Sequence, residues 1–365
     1  MPVPDHTTIG RLLADFLARY TAAEADLFGR LAADLGRGID TQDWDQRKLS
    51  ELTRFSRGVE RVVTGLDASA RRDTPRILRR VVTDAHQEAA RQAARAGVTS
   101  VLPAGTTSVV AQTGEAIVGS LAPVHARIFR ATLDIYRVVI ARTVSSVTLG
   151  ALTRRQAAQK ALDTFATRGV TGFVDRAGRH WDLASYTEMA LRTGTAHAAV
   201  DAHTTTLMDS GLDLVVVSNA PQECEICRPW EGQILSLSGA TGSVAAQDPV
   251  TGRAVTVTVK ASLSEARAAG LYHPNCRHSH SVYLPGVTHR PTGTADVEGD
   301  AARQQLRYLE RQVRAWKRRE VVALDRAAAV RARARAAGYE RRIKSHVASS
   351  LAKRQPQREK IGVAR

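Results

Sequence analysis

Apolar residues recur at helical spacing over most of the first 96 residues. One such run covers residues 8–36 and ends at glycines, so it predicts an amphipathic helix. Two further helices are predicted over 43–66 and 75–96. Pro75 suits the first turn of the third helix, and Gly97 suits the position just after its end.

The next part of the chain alternates between helical patterns and turn-rich stretches. Residues 98–114 contain many Gly, Thr and Ser residues and predict a loop or hinge. An apolar stripe over 123–168 predicts one or two long helices, although the β-branched residues at 143–148 weaken that pattern. Residues 168–181 resemble a turn-rich connector, and helical periodicity returns over 184–210.

The pattern changes to that of strands after residue 210. Residues 212–217 form a short β-branched run, and apolar residues alternate with polar ones at 233–237 and 255–259. The segment 248–253 has the composition of a hairpin turn. These stretches predict a small β-containing module that ends near Pro285.

The last part of the chain is predicted to be helical and basic. After a polar linker at 286–299, apolar residues spaced by three and four predict an uninterrupted helix over 301–337. Gly338 is its predicted end, and a shorter basic helix is expected over 339–353, before Pro356.

These patterns predict an α+β protein with a predominantly helical N-terminal body, a small β-containing Cys/His module and long basic C-terminal helices. Four consecutive regions are expected: an N-terminal helical region (1–122), a long-helix region (123–210), the Cys/His module (211–290), and a linker with basic C-terminal helices (291–365).

Positive charge is concentrated at the C-terminal end. The chain has 52 Lys or Arg against 36 Asp or Glu, a net charge of +16, yet residues 301–365 alone have 19 against 5, a net charge of +14. A basic segment on a near-neutral body is typical of contact with a polyanion, with a solvated helical face as the alternative. The candidate nucleic-acid-binding residues are Arg314, Lys317, Arg318, Arg319, Arg331, Arg333 and Arg335.

Several protein classes are not expected. The longest uncharged stretch, 96–114, is interrupted by Pro103 and is shorter than the roughly 20 apolar residues of a membrane span, so no transmembrane helix is expected. The start MPVPDHTTIG has neither a basic nor an apolar run, so no secretory signal peptide is expected. Three cysteines cannot form a disulfide framework, which indicates that the chain is made in a reducing cytoplasm.

All three cysteines fall in two clusters that contain metal-ligand chemistry. A C-x-x-C pair and a later H-x-x-C group supply four nitrogen and sulfur ligands, the number that tetrahedral Zn²⁺ requires. A zinc ion there would stabilise a module with few large apolar residues. The candidate ligands are Cys224, Cys227 and Cys276, with His273, His278 or His280 as the fourth.

Other interpretations of the same residues remain open. The two cysteines of the C-x-x-C pair could be small buried residues or a redox pair, and the histidines could be surface turn residues. His273, Arg277, His278 and Glu231 could also act as acid, base and phosphate clamp of a metal-free ribonuclease, if they converge. The usual enzyme motifs are missing from the sequence, so we expect a protein without catalytic activity.

Five segments in fixed order carry a family resemblance: GFVDRAGRHWDLASYTEMALRT, LDLVVVSN, CEICRPWEGQILSLSG, GLYHPNCRHSHSVYLPG and RYLERQVRAWKRRE. Together they resemble the phage minor capsid protein 2 family, which is related to the MuF-like minor head proteins of tailed bacteriophages. The similarity is collinear from about Ile128 to the end of the chain, and the helical N-terminal part fits less distinctly.

The resemblance implies a structural protein of the virion, made in the cytoplasm of a bacterial host. Its expected partners are the portal protein and the inner capsid, inside the procapsid at the portal vertex, and packaged double-stranded DNA bound without sequence preference. The resemblance transfers no catalytic residues. The alternative is a nuclease or toxin-like effector module centred on His273–His280 and delivered with the genome.

Overall fold

The chain forms two compact units, each assembled from three separate segments. The computed structural model describes residues 6–100, 106–170, 173–174, 180–220, 223–274, 276–291 and 296–361. Unit 1 contains Met1–Leu13, Arg72–Ile117 and Met189–Ala301, and unit 2 contains Ala14–Arg71, Val118–Glu188 and Ala302–Arg365. The division into four consecutive regions stays a prediction.

Helices make up most of the described chain, and a small number of strands follow the sixth helix or lie just before it. The helices are α1 (His6–Gly36), α2 (Trp44–Ser50), α3 (Leu52–Arg95), α4 (Thr106–Thr148), α5 (Arg154–Arg168), α6 (Leu183–Asp209), α7 (Leu263–Ala268), α8 (Val297–Val321) and α9 (Arg326–Ala348). The strands are β1 (Phe173–Val174), β2 (His180–Trp181), β3 (Leu214–Val217), β4 (Ile234–Ser236), β5 (Gly242–Gln247), β6 (Ala254–Val259), β7 (Ala261–Ser262) and β8 (His280–Val282). The predicted α+β class, with its helical body, is confirmed.

Unit 1 contains a mixed four-stranded sheet in the order β7-β4-β3-β8. The central strand β3 pairs antiparallel with both neighbours, with Val215 opposite Leu235 on one side and Val282 on the other. Its four residues are all buried, because side chains cover both of its faces. Val217 and Cys227 share one core cluster with residues of α6 and α7, which fixes the loops that follow β3.

The hairpin β5–β6 was predicted only in its second strand and its turn. Val244 pairs with Val257, and the Asp248 amide donates to the Arg253 carbonyl across the turn. The Asp248 carboxylate accepts from the amides of Val250 and Thr251, which confirms the expected turn chemistry. The residues of β5, β7, β8 and α7 have too little periodicity to be recognised as separate elements.

Two prolines that were predicted to begin helices lie inside them instead. α3 continues through Pro75, and α4 begins at Thr106 and continues through Pro123. An interior proline removes one backbone hydrogen bond and strains the helix, a cost that packing on both sides offsets here. Leu78 and Leu121, three residues after and two before these prolines, are completely buried. The expected loop at 98–114 is therefore wrong from Thr106 onward, and its residues 101–105 lie outside the described chain.

The predicted C-terminal helix is broken at a different residue. α8 ends at Val321, and the Asp325 carboxylate accepts from the Ala328 amide and so begins α9. Gly338, the predicted end, lies inside α9, because Tyr339 and Ile343 continue the apolar stripe that packs against α8. Side-chain capping therefore determines the break, and the glycine does not.

The β-branched residues at the end of α4 remain helical. The Thr143 hydroxyl donates to the Val139 carbonyl and the Thr148 hydroxyl to the Val144 carbonyl, so both side chains bond to the preceding turn. In the described part of the chain, no helix combines the length and apolar character that a membrane crossing requires.

Candidate metal centre and cationic helix

Cys224 and Cys227 lie in a tight turn that follows β3. The amides of Cys227 and Arg228 both donate to the Cys224 carbonyl, and a 3₁₀ turn begins at Arg228. Cys227 is completely buried in the core cluster of unit 1, whereas Cys224 is half-buried at its edge. The C-x-x-C pair therefore packs against the sheet of unit 1.

The second cluster comes from the loop between α7 and β8. The His273 amide donates to the Gly270 carbonyl, and the Cys276 amide donates to the His273 carbonyl. Gly270 has a φ of +103°, and a Cβ there would lie 2.7 Å from Cγ2 of Ile226, inside the C-x-x-C pair. Only glycine adopts this φ without strain and has no Cβ to clash with Ile226, so this position lets the two loops approach each other.

Five side chains meet in two groups that share Cys227. In each group the ligand atoms lie within 4.8 Å of one another: Cys224, Cys227 and His273 in the first, and Cys227, Cys276 and His278 in the second. Cys224 Sγ lies 3.0 Å from His273 Nε2, and Cys227 Sγ lies 3.4 Å from Cys276 Sγ. The structure therefore brings together three cysteines and two of the three histidines that the sequence indicated as metal ligands.

Both histidines have the outer contacts of metal ligands. His273 Nδ1 lies 2.9 Å from the Pro274 carbonyl oxygen, which fixes Nδ1–H as a donor and leaves Nε2 facing Cys224. His278 Nε2 lies 2.7 Å from Glu231 Oε1, while its Nδ1 lies 3.4 Å from Cys276 Sγ. Ligating histidines commonly bond their second nitrogen to a carbonyl or carboxylate in this way.

The electrostatics of the cluster favour a deprotonated sulfur. Hydrogen bonds from the Cys227 thiol and from His278 lower the pKa of the Cys276 thiol. The pKa of the Cys227 thiol is raised by its hydrogen bond to Cys276 and by burial. Burial opposes a charge on His278, but Cys276 and Glu231 outweigh it and raise the pKa of that imidazole. A metal ion takes thiolate ligands, so Cys276 is prepared for one.

The donor set fits zinc. Three sulfurs and two imidazoles exceed by one the four ligands of a tetrahedral site, and the 3.4 Å between Cys227 Sγ and Cys276 Sγ is close to the about 3.8 Å expected across Zn–S bonds. Cys224, Cys227, Cys276 and one of the two histidines would hold the ion, which would cross-link the two loops.

His280 faces away from the cysteines, which removes it from the three histidines considered for the fourth ligand. Its Nδ1 lies 2.8 Å from the Tyr272 hydroxyl, and its Nε2 lies 3.2 Å from His203 Nδ1 and from Thr204 Oγ1. His203 Nε2 in turn lies 3.2 Å from Gln92 Oε1. Burial lowers the pKa of His203 to about 3. This buried network joins residues far apart in sequence, and no local pattern indicated it.

The residues of the ribonuclease hypothesis are only partly brought together. His278 contacts Glu231, but His273 belongs to the group around Cys224, and Arg277 is half-buried beside them.

Two of the seven cations predicted to bind nucleic acid are buried in unit 2. Arg318 is 3% exposed, with Nη1 3.3 Å from the Glu24 carboxylate and Nε donating to the Ala166 carbonyl. Arg314 is 8% exposed and donates to the Arg358 carbonyl. Neither guanidinium is accessible to a phosphate in this conformation.

Two more of these cations are half-buried in ion pairs. Lys317 Nζ lies 2.8 Å from Glu340 Oε1, and Arg319 Nη2 lies 2.8 Å from Asp163 Oδ2. Arg319 also stacks on the Trp316 ring at 4.1 Å. These contacts hold α8 in place and engage both cations.

The remaining three lie on the exposed face of α9. This helix has a buried stripe of Ala328, Ala332, Ala336 and Ile343, and it has seven Lys or Arg against one Glu. All seven cations are exposed: Arg326, Arg331, Arg333, Arg335, Arg341, Arg342 and Lys344. Four of them, Arg326, Arg341, Arg342 and Lys344, were not among the predicted cations, although the spacing of the buried stripe in α9 places them on the exposed face.

Comparisons with known proteins agree with the resemblance. A sequence model of the family described as Phage minor capsid protein 2 matches residues 9–348. A "Structural protein" of Lactococcus phage LL-H is 26% identical over 193 residues, which are 52% of this chain and 50% of that relative. The chain thus aligns with about half the length of this curated relative. No solved structure matches the chain. Because the family match spans nearly all of the sequence, the chain belongs to the phage minor capsid protein 2 family.

Proposed function

We propose that this chain is a minor structural component of the phage head, bound at the portal vertex inside the procapsid, where it contacts packaged DNA. Family membership supports the head component. The observation that carries the DNA contact is the exposed cationic face of α9, which is the largest surplus of positive charge in the chain's C-terminal segment.

The contacts of α8 support different roles for the two C-terminal helices. α8 uses Arg314 and Arg318 to anchor itself in unit 2, whereas α9 keeps its arginines in solvent. Cations in rows on either side of a buried stripe suit phosphates, which are regularly spaced and identical for every base sequence. The proposed contact therefore involves Arg331, Arg333 and Arg335 and omits Arg314 and Arg318.

DNA binding is measured with the full chain and two unrelated duplexes of about 20 base pairs, by fluorescence anisotropy at increasing salt. The affinity is expected to fall steeply with salt and to be equal for both duplexes. R335Q/R342Q should weaken binding to both equally, whereas R57Q/R61Q, which changes two exposed arginines of α3, should not. An affinity that is flat with salt, or equal losses in both double variants, would remove α9 from the proposal.

Portal binding is tested by sedimentation of the full chain with purified portal assemblies of the same phage. The chain is expected to sediment with the portal and to stay in the supernatant with empty capsid shells that lack it. Sedimentation with neither would contradict the proposed location, and it would leave the DNA measurement unaffected.

We also propose that Cys224, Cys227, Cys276 and one of His273 and His278 hold a structural zinc ion. Mass spectrometry of metals should find one equivalent in protein purified without chelator, and less than about half an equivalent would contradict the site. His273→Ala and His278→Ala decide the fourth ligand, because only the ligand variant loses the zinc. His280→Ala is the control and should retain it.

One contact favours the alternative of a nuclease-like effector: His278 Nε2 lies 2.7 Å from Glu231 Oε1, an arrangement suited to a general base and its orienting carboxylate. Cleavage of RNA or DNA by the full chain, abolished in a folded His278→Ala variant, would establish this activity. Absence of cleavage by the folded wild-type chain would contradict the nuclease alternative, and His278 would then remain only a candidate metal ligand.

A further inference from the structure

A cleft of about 380 Å³ lies in unit 2 beside one face of α5. The helix contributes Lys160, Asp163 and Thr164, which are spaced by three and one residues and so share a face. The opposite wall comes from α8, from the turn after it and from α9, through Arg319, Asp325 and Arg331. The remaining lining residues, Gln156, Gln159 and Thr167, are also polar.

The two acidic groups of the cleft are already engaged. Asp163 accepts from Gln159 through one oxygen and from Arg319 through the other. Asp325 accepts from the Ala328 amide and caps α9. The carboxylate of Asp163 thus neutralises Arg319, and neither acid faces Lys160 or Arg331 as an ion-pair partner.

Lys160 and Arg331 are exposed, and neither forms an ion pair within the described residues. Lys160, Arg319 and Arg331 outnumber Asp163 and Asp325 in the lining, so the cleft keeps a net positive charge. Lys160 and Arg331 repel each other across it, and an anion between them would remove that repulsion. Arginine and lysine both bind phosphate well, the first through paired N–H groups and the second as a point charge. Every lining side chain ends in a polar or charged group, which suits a polar ligand.

We propose that this cleft binds a phosphate group between Lys160 of α5 and Arg331 of α9. Where the phosphate belongs to packaged DNA, the site rests on the proposed function and extends the surface of α9 onto α5. Where the phosphate is free or belongs to a small molecule, the cleft is a separate site. The chemistry at the protein is the same in both cases.

The experiment titrates inorganic phosphate into the full chain by calorimetry at low salt. Lys160→Gln and Arg331→Gln should each weaken binding about tenfold, the usual consequence of losing one charge-assisted hydrogen bond. Lys344→Gln removes an exposed cation of α9 outside the cleft and should have no effect. Lys160, Arg331 and Lys344 are all exposed, so the three variants should fold. Thermal melting of each variant checks this.

A second arm repeats the salt titration with duplex DNA. If the phosphate is a backbone phosphate, Lys160→Gln lowers the salt slope by about one, and inorganic phosphate competes with the duplex. If phosphate binding depends on Lys160 but DNA binding does not, the cleft is a small-anion site. No phosphate binding, or binding that is equal in all folded variants, would overturn the proposal. The DNA contact of α9 is tested independently by R335Q/R342Q.

Discussion

Replacing Arg318 should lower the free energy of unfolding of unit 2. It should not change the proposed DNA contact, which involves other residues. The guanidinium is 3% exposed, faces the Glu24 carboxylate at 3.3 Å, and donates to the Ala166 carbonyl at 2.8 Å. Glu24 itself is 1% exposed, and burial raises its pKa even beside Arg318, so Arg318→Ala leaves a buried acid without its nearest counter-charge. Breaking a buried pair in this way costs about 3–5 kcal/mol of unfolding free energy.

The control is Arg333→Ala on the exposed face of α9. Arg333 Nη2 lies 2.7 Å from Glu320, but the arginine side chain is 72% exposed, so solvent screens the pair. Its loss should change the free energy of unfolding by less than about 1 kcal/mol. Urea titrations followed by tryptophan fluorescence measure both variants.

A second variant tests the cause. The double substitution Glu24→Gln with Arg318→Met removes both charges, and the introduced glutamine side chain keeps an oxygen for the Val170 amide, which donates to Glu24 in the native chain. The double variant should recover at least about 1 kcal/mol relative to Arg318→Ala. Equal losses in Arg318→Ala and Arg333→Ala, or no recovery in the double variant, would refute the assignment of Arg318 to anchoring.

Two further predictions concern unit 1. The pKa of His203 falls from the usual 6.5 to about 3 on folding, so the unfolded chain binds the extra proton and stability is lost as pH falls from 6.5 towards 3. Between pH 7.5 and 5 this costs about 2 kcal/mol, and His203→Gln should remove that part of the pH dependence of urea unfolding, whereas an unchanged dependence would contradict the burial of a neutral imidazole. Gly270→Ala should destabilise unit 1 by about 1–3 kcal/mol and lower its zinc content. Gly239→Ala, at a φ of +106° with nothing within 4 Å of its Cβ, should keep the zinc, and equal zinc loss in both would mean that the contact with Ile226 does not matter.

Local sequence patterns predicted most helices and the class of the fold, but not the positions that tertiary packing decides. The run at 8–36 and the strand at 212–217 contain their own periodicity, so both were found close to their true bounds. The helix start predicted at Pro75 is wrong, because packing around the proline offsets a cost that is visible in the sequence. The cap at Asp325 could not be predicted, because no local pattern distinguishes it from other exposed acids.

The candidate site was predictable to the extent that its chemistry is local. The C-x-x-C and H-x-x-C spacings indicated the candidate metal ligands, yet only the fold shows that His280 faces Tyr272 and His203. The charge of the last 65 residues was also clear from the sequence. The sequence does not show which of these cations are buried in ion pairs. Glu24 and Asp182, the carboxylates that face Arg318 and Arg314, lie more than a hundred residues earlier.

If this chain is a head component located at the portal, its presence in procapsids depends on the portal protein. Quantitative mass spectrometry of purified procapsids tests it most directly, with particles assembled with and without the portal protein. We expect the chain in a few copies in procapsids that contain the portal, and we expect portal-free particles to lack it. Procapsids without the chain, or equal amounts in both kinds of particle, would contradict the account.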